Sequence, residues 1–252
     1  MPLIIAFPIG LMVGSFVTVL AHRVPRGEAF VAGRSRCPAC GTQIAAYDNV
    51  PVISWLLLRG RCRSCGEHIS ARYPLAELAV AVLYAATVLV LGTDDVAALV
   101  SGLVFCTVLV AVTLTDLERR VIPNRIVAAG AIVALAIAAV GDPSEIPERL
   151  AAAAAGGGVL FGVAMAYPRG MGMGDVKLVA MMGLFLGSAV APAVLVGFAT
   201  GAFVGLVMIA RHGAAARKQA IPFGPFLALG GVVGLWWGPE IVEWYVNRFF
   251  GG

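Results

Sequence analysis

Residues 96–115 read VAALVSGLVFCTVLVAVTLT, an uncharged run of 20 residues. A helix that crosses the hydrocarbon core of a bilayer needs about 20 mostly apolar residues, so this run predicts a membrane-spanning helix. Over the whole chain of 252 residues, 60% are hydrophobic and only 13% are charged. That balance lies outside the range of soluble proteins, and we therefore expect an all-α polytopic membrane protein.

Apolar segments of comparable character recur along the chain, although some are shorter than a full span. The first has no basic residues in front of its apolar run, which distinguishes it from a cleavable signal peptide. We predict about eight transmembrane helices, over 3–21, 74–92, 96–115, 126–140, 150–167, 177–190, 192–210 and 223–238. The sixth and seventh are separated only by the stretch GSAVAP.

Basic residues are distributed unevenly among the connecting segments. If the N-terminus lies outside, 16 of the 18 Lys and Arg residues fall on the inner side, and only Arg149 and Arg248 lie outside. Cytoplasmic loops retain basic residues, so we predict this orientation, with the N-terminus outside and the basic segments in the cytoplasm. The net charge of +4 then follows from topology, and we expect the lipid bilayer but no nucleic acid as a partner. The inner segments are 22–73, 116–125, 168–177 and 211–222.

Four cysteines form two CxxC pairs in the one long polar segment, CPAC at 37–40 and CRSC at 62–65, each followed by Gly. Two such pairs are typical of a tetrahedral zinc site made of four thiolates, and the reducing cytoplasm favours free thiols. We expect Cys37, Cys40, Cys62 and Cys65 to hold one structural zinc ion. The alternative is two redox pairs or disulfides. Cys106 lies mid-span, where packing is its expected role.

These features predict three parts. Residues 1–21 form the first transmembrane helix, 22–73 form a small cytosolic zinc-binding domain, and 74–252 form a transmembrane helical core. Glycines at four-residue steps predict close packing of the helices. They are Gly158 and Gly162, Gly183 and Gly187, Gly197, Gly201 and Gly205, and Gly230, Gly234 and Gly238.

Two aspartates lie at the predicted cytoplasmic face. Asp116 ends the third span in TLTDLERRVIPN, and Asp175 begins the sixth in GMGDVKL. Alone, Asp116 is explained by an ion pair with Arg119 or Arg120, and Asp175 by helix capping. Together, two carboxylates at one depth can share a proton, so that one acts as general base on water while the other polarises a peptide carbonyl. This pair predicts aspartic-protease chemistry.

Four further residues are candidates for a supporting role. Gly172 and Gly174 would give a substrate backbone room to approach Asp175. Lys177 would either pair with an aspartate or reach water. Glu77, after RYPLA at the start of the second span, would stabilise the positive end of that helix.

Six motifs, in the same order over about 220 residues, resemble those of the bacterial prepilin peptidases. They are GSFVTVLAHRVPRGE, the CxxC pairs, ISARYPLAEL, DLERRVIPN, GMGDVKL and IPFGPFLALG. That family consists of polytopic aspartic proteases that process type IV pilins and type II secretion pseudopilins. The resemblance implies that Asp116 and Asp175 are the catalytic pair. It also implies a membrane-inserted prepilin or pseudopilin substrate, whose short basic leader is removed after a glycine at the cytoplasmic face.

The resemblance further implies that the new terminal amine is methylated with S-adenosylmethionine, as in members that carry the cysteine loop. No Rossmann-type glycine fingerprint occurs, so the residues that bind the methyl donor are unknown. The eight Arg residues of 22–73 would not attract a basic leader, so electrostatic selection falls to the acids of the site. The sequence does not indicate an oligomeric state.

Two alternatives remain at this point. The first is a GxGD intramembrane protease with other substrates, since unrelated proteases share that element. The second is a zinc-regulated transporter whose two acids bind ions. The sequence shows neither the inverted repeat nor the matched broken helices that are typical of transporters.

Overall fold

A computed structural model describes residues 2–28, 35–167, 170–213 and 221–250. Over these residues the chain forms α-helices joined by turns and short 3-10 segments, with two isolated β-bridges and no β-strand. The α-helices are α1 (Pro2–Arg23), α2 (Ile53–Leu57), α3 (Arg72–Leu91), α4 (Val96–Arg119), α5 (Asn124–Gly141), α6 (Ile146–Ala166), α7 (Met173–Leu186), α8 (Val190–His212) and α9 (Gly224–Phe249).

Seven segments of the described chain are long and apolar enough to cross a membrane. One of them, Met173–His212, has 40 residues and contains both α7 and α8. As one helix it would extend about 60 Å, twice the bilayer core of about 30 Å. The prediction of an all-α polytopic membrane protein is confirmed, and the eight predicted spans correspond to α1 and to α3 through α9.

The chain reverses direction between α7 and α8. The N–H groups of the Arg149 guanidinium donate to the carbonyl oxygens of Leu184 and Phe185, both at 2.9 Å. These carbonyls end α7 and have no intrahelical partner. Gly187 follows with φ +57°, a conformation that favours glycine. Arg149, one of the two basic residues outside the predicted inner segments, thus terminates α7.

The chain forms two compact units, Met1–Thr93 and Asp94–Gly252. In the first unit α1 and α3 are in close contact. Gly10 of α1 lies against Ala81 of α3, and Gly14, one turn later in α1, lies against Glu77, one turn earlier in α3, so the two helices run antiparallel. A Cβ on Gly10 would lie 2.5 Å from the Cα of Ala81. Only bare backbone allows this approach, which is typical of helix pairs in membranes.

The second unit contains α4 through α9. Some of its glycines lie against a neighbouring helix, and others face open space. A Cβ on Gly183 would lie 2.6 Å from the Cα of Ala153, so α6 and α7 meet backbone to backbone. The prediction of close packing is wrong for three glycines, whose side-chain positions face open space. They are Gly158, Gly162 and Gly205. The glycines that do lie at the contact between α8 and α9 are Gly197, Gly201, Gly230 and Gly234, and Gly238 meets Ala189 just before α8 begins.

Candidate active site

Asp116 lies in the last turn of α4 and is only 6% exposed. A carboxylate there meets the negative end of its own helix, which disfavours its charge. Its Oδ2 accepts a hydrogen bond of 2.7 Å from the main-chain N–H of Gly224, the first residue of α9. The positive end of α9 therefore offsets the negative end of α4. No direct salt bridge joins Asp116 to Arg119 or Arg120 among the described residues, although the charge of Arg120 acts on the carboxylate.

Gly224 is a site residue that the sequence did not reveal. Its motif IPFGPFLALG was part of the resemblance, and Pro225 at the start of a helix marks where α9 begins. The contact with Asp116, however, joins positions 108 residues apart. A sequence pattern does not show which helix ends meet, and for that reason the contact escaped prediction.

Asp175 lies in the first turn of α7 and is partly exposed. One of its carboxylate oxygens, Oδ2, accepts a hydrogen bond of 3.2 Å from the main-chain N–H of Gly172, the residue that precedes the helix. The aspartate therefore caps its own helix, in the way that acids at this position do. Its second oxygen is not used in that bond.

The end of α4 and the start of α7 lie together. A Cβ on Gly174 would lie 3.0 Å from the Cβ of Ile122, which is buried just after α4 ends. The carboxylates are close enough for the charge of Asp116 to act on Asp175. Each carboxylate thus accepts a hydrogen bond from a main-chain N–H through its Oδ2. At Gly174 the expected room for a substrate backbone is taken by Ile122, so this glycine serves packing.

Lys177 does not pair with either aspartate. Its Nζ donates a hydrogen bond of 3.0 Å to the Oδ1 of Asn124, the first residue of α5. This bond holds the first turn of α7 against the start of α5. Of the two roles that the sequence left open for Lys177, pairing with an aspartate is not observed, whereas the side chain is exposed to solvent beside Asn124.

Glu77 lies in the first unit and is only 8% exposed. Because α3 already begins at Arg72, Glu77 lies beyond its first turn, and the prediction that it stabilises the helix start is wrong. Its Oε2 accepts a hydrogen bond of 2.7 Å from the main-chain N–H of Val52, and Ser15 of α1 also hydrogen-bonds the carboxylate. Glu77 therefore connects α1 and α3 to the loop between them.

The two CxxC pairs fold as matching turns. In each turn the glycine after the second cysteine has a left-handed conformation, with φ +69° at Gly41 and +73° at Gly66. Its N–H donates to the carbonyl of the first cysteine, Cys37 or Cys62, at 2.9 Å. The N–H of each first cysteine in turn donates to a carbonyl five residues ahead. Both turns therefore present their two thiols in the same way.

The four thiols converge on one point. The Sγ atoms of Cys37, Cys40, Cys62 and Cys65 all lie within 4.8 Å of one another, and those of Cys37 and Cys65 are 3.8 Å apart. Sulfurs at the corners of a tetrahedron with metal bonds of about 2.3 Å lie about 3.8 Å apart. The spacing also exceeds a disulfide bond of about 2.05 Å. The cluster can hold a metal ion, and the disulfide alternative does not match it.

The surroundings of the cluster favour this role. Hydrogen bonding to the side chain and main chain of Thr42 lowers the pKa of the Cys40 thiol to about 6, toward the thiolate form that metals bind. At Cys65 the main-chain hydrogen bond from Glu67 lowers the thiol pKa, but desolvation and the three neighbouring thiols outweigh it and raise that pKa to about 12. The guanidinium of Arg63, inside the second turn, donates two hydrogen bonds of 2.8 and 2.7 Å to Asp48, which follows the first turn. This pair links the two turns independently of any metal.

Two family models match the chain. The model described as Bacterial Peptidase A24 N-terminal domain matches residues 9–91, which include the cysteine cluster and Glu77. The model described as Type IV leader peptidase family matches residues 103–209, which include Asp116 and Asp175. No solved structure matches the chain.

Relatives of known name are similar over nearly the whole chain. A prepilin leader peptidase/N-methyltransferase of Aeromonas hydrophila is 35% identical, across 97% of this chain and 94% of that protein. The protein of the same name from Bacillus subtilis (strain 168) is 33% identical, across 98% of this chain and 99% of its own. One from Stutzerimonas stutzeri is 35% identical, across 96% and 93%.

Proposed function

The chain belongs to the type IV leader peptidase family, and on that premise we propose that it is a membrane aspartic endopeptidase. Its substrate is a membrane-inserted type IV prepilin or pseudopilin. It removes the basic leader peptide after a glycine, at the cytoplasmic face of the bacterial inner membrane. It then methylates the new terminal amine with S-adenosylmethionine.

The observation that carries the peptidase proposal is the proximity of Asp116 and Asp175 at the adjoining ends of α4 and α7. They are the catalytic pair in this proposal. Gly172 orients Asp175 through its N–H, while Gly174 and Lys177 support the helix start by their contacts with Ile122 and Asn124. Glu77 has its supporting role elsewhere, in the cysteine-bearing unit.

Peptide hydrolysis needs both acids. One carboxylate accepts a proton from water, whose oxygen attacks the scissile carbonyl carbon, and the protonated partner donates to the carbonyl oxygen. The C–N bond then breaks as the departing amine takes up a proton. Because one oxygen of each acid is held by a main-chain N–H, the remaining oxygen of each can face the water and the substrate.

The orientation is proposed from the distribution of charge. Arg119, Arg120, Arg125 and Lys177 are all exposed and lie at the end of the second unit that carries both aspartates. Basic residues favour the cytoplasmic side, so the acids open to the cytoplasm and the N-terminus lies outside. At the opposite end, α9 carries the exposed aromatic residues Trp244 and Tyr245, which are typical of a membrane interface.

The metal in the cysteine cluster is zinc in this proposal. Four thiolates in a tetrahedron leave no position for water, so zinc would hold residues 22–73 in one fold and take no part in hydrolysis. These residues then form the cytosolic metal-binding domain, while 1–21 and 74–252 lie in the membrane. Cys37, Cys40, Cys62 and Cys65 would bind the ion.

The proposed activities are tested together on one substrate. The full chain is incubated in liposomes with a purified prepilin, first without and then with S-adenosylmethionine, and the product terminus is identified by mass spectrometry. Removal of the leader after a glycine, followed by the mass of one added methyl group, is the expected result. An uncut prepilin would contradict the peptidase, and a cut but unmethylated terminus would contradict only the methyltransferase.

A further inference from the structure

Asp116 takes part in a contact with a helix that carries neither catalytic acid. The N–H of Gly224 reaches its Oδ2 at 2.7 Å, and both residues are buried. We infer that the first turn of α9 is a third element of the active site and that Gly224 is a positioning residue for Asp116. This inference rests on the proposed peptidase function and assigns a role to a helix that carries neither catalytic acid.

The hydrogen bond fixes which oxygen of Asp116 is free. Oδ2 is occupied by the N–H at the positive end of α9, so Oδ1 is left for water or for the proton shared with Asp175. Reacting groups must be held close to their productive geometry, and an error of about 1 Å can cost about 100-fold in rate. A main-chain donor suits this purpose because it has no side-chain torsions.

The same contact explains why the position is a glycine. A Cβ on Gly224 would lie 2.8 Å from Oδ2 of Asp116, and 3.2 Å from its Cβ and Cγ. A side chain would therefore push the carboxyl group away. The helical φ of this residue does not require glycine, so the close approach is the reason for it.

The place where α9 begins is set by aromatic packing against α8. The ring of Phe223, the residue before Gly224, lies 5.0 Å from the ring of Phe198. A Cβ on Gly201 would lie 2.9 Å from the Phe223 ring. Gly201 thus touches Phe223 without contacting Asp116. A change at Gly201 should reach the acid only through the start of α9.

One helical turn further along α8, Gly205 faces open space. The pair Gly201→Ala and Gly205→Ala therefore gives a matched comparison within one helix. Both changes add the same methyl group and the same helix propensity, and only the first meets Phe223. The difference between the two variants isolates the path from α8 to Asp116.

The test measures kcat and KM for prepilin cleavage by the full chain in liposomes. Gly224→Ala should lower kcat by about 100-fold with KM unchanged. Gly201→Ala should lower kcat by a smaller factor, and Gly205→Ala should match the wild type. If Gly224→Ala does not insert, the Gly201 and Gly205 pair alone decides the outcome.

The inference is overturned by wild-type kcat in Gly201→Ala, by an equal loss in Gly205→Ala, or by losses that appear in KM instead of kcat. An inactive Asp116→Asn variant beside a fully active Gly224→Ala would refute only the role of α9. A fully active Asp116→Asn variant would refute the proposed function itself.

Discussion

The carboxylate of Glu77 accepts a 2.7 Å hydrogen bond from the main-chain N–H of Val52, and so joins α3 to the loop that carries the cysteines. Val52 has φ +59°, which is rare for a β-branched residue. The hydrogen bond holds this unusual backbone in place. The carboxylate is therefore a structural anchor of the first unit.

Replacement of Glu77 should show how much its hydrogen bond with Val52 contributes to the free energy of unfolding. Glu77→Ala leaves the N–H of Val52 without its partner and should lower the free energy of unfolding by about 1–3 kcal/mol. Glu77→Gln keeps an amide oxygen at the same position and should cost less. Thermal unfolding in detergent micelles measures both. An equal loss in the two variants would show that the hydrogen bond is not the stabilising contact.

The cysteine cluster predicts one bound zinc ion per chain. Cys37→Ser removes one thiolate, so zinc content should fall and residues 22–73 should become sensitive to proteolysis. The fifth cysteine supplies the control, because Cys106 is buried in α4 and lies outside the cluster. Elemental analysis of Cys106→Ala should give the wild-type zinc content. Full zinc retention in Cys37→Ser would remove Cys37 from the ligand set.

The Arg149 side chain is only 18% exposed, and its contacts with the end of α7 should contribute to stability. Arg149→Ala leaves the carbonyls of Leu184 and Phe185 unsatisfied at the end of α7 and should destabilise the chain by about 1–3 kcal/mol. Arg248 is the other basic residue on the predicted outer side, and it is exposed. Thermal unfolding should show little change for Arg248→Ala. Equal melting temperatures for the two variants would contradict the assigned role of Arg149.

Two glycines on neighbouring helices should respond in opposite directions to alanine. Gly183→Ala places a Cβ 2.6 Å from the backbone of Ala153, and such overpacking costs about 1–3 kcal/mol. Gly158→Ala adds a methyl group in open space, where helix propensity should stabilise by about 0.5–1 kcal/mol. Unfolding of both variants under one condition checks the contrast. A destabilised Gly158→Ala would show that this face is packed.

These glycines also show which parts of the fold can be predicted from the sequence. Apolar runs identify the helices because length and hydropathy are local properties, and the CxxC spacing identifies the cysteine cluster because its turns are local too. Gly158 and Gly183 carry the same four-residue pattern, yet only one of them meets another backbone. Which face meets which neighbour depends on contacts distant in sequence, and a single sequence does not contain that information.

The candidate active site also contains residues that the sequence predicts and residues that it does not. Asp116 and Asp175 are recognisable because acids at the ends of spans are costly in a membrane. Gly224, which bonds to Asp116, and Ile122, which contacts Gly174 beside Asp175, are ordinary residues whose importance comes from where helices begin and end. The charge of Glu77 makes it a candidate residue in the sequence. Its hydrogen bond to Val52 could not be predicted, because it depends on the conformation of the loop and not on the position of Glu77 in α3.

The central claim is that Asp116 and Asp175 together hydrolyse the prepilin leader, and single-turnover cleavage by the two asparagine variants tests it most directly. Asp116→Asn and Asp175→Asn keep the size of each side chain but remove its acid–base function. Each should lower the cleavage rate by at least about 100-fold, with zinc content and membrane insertion unchanged. Cleavage at the wild-type rate by either correctly inserted variant would contradict the account.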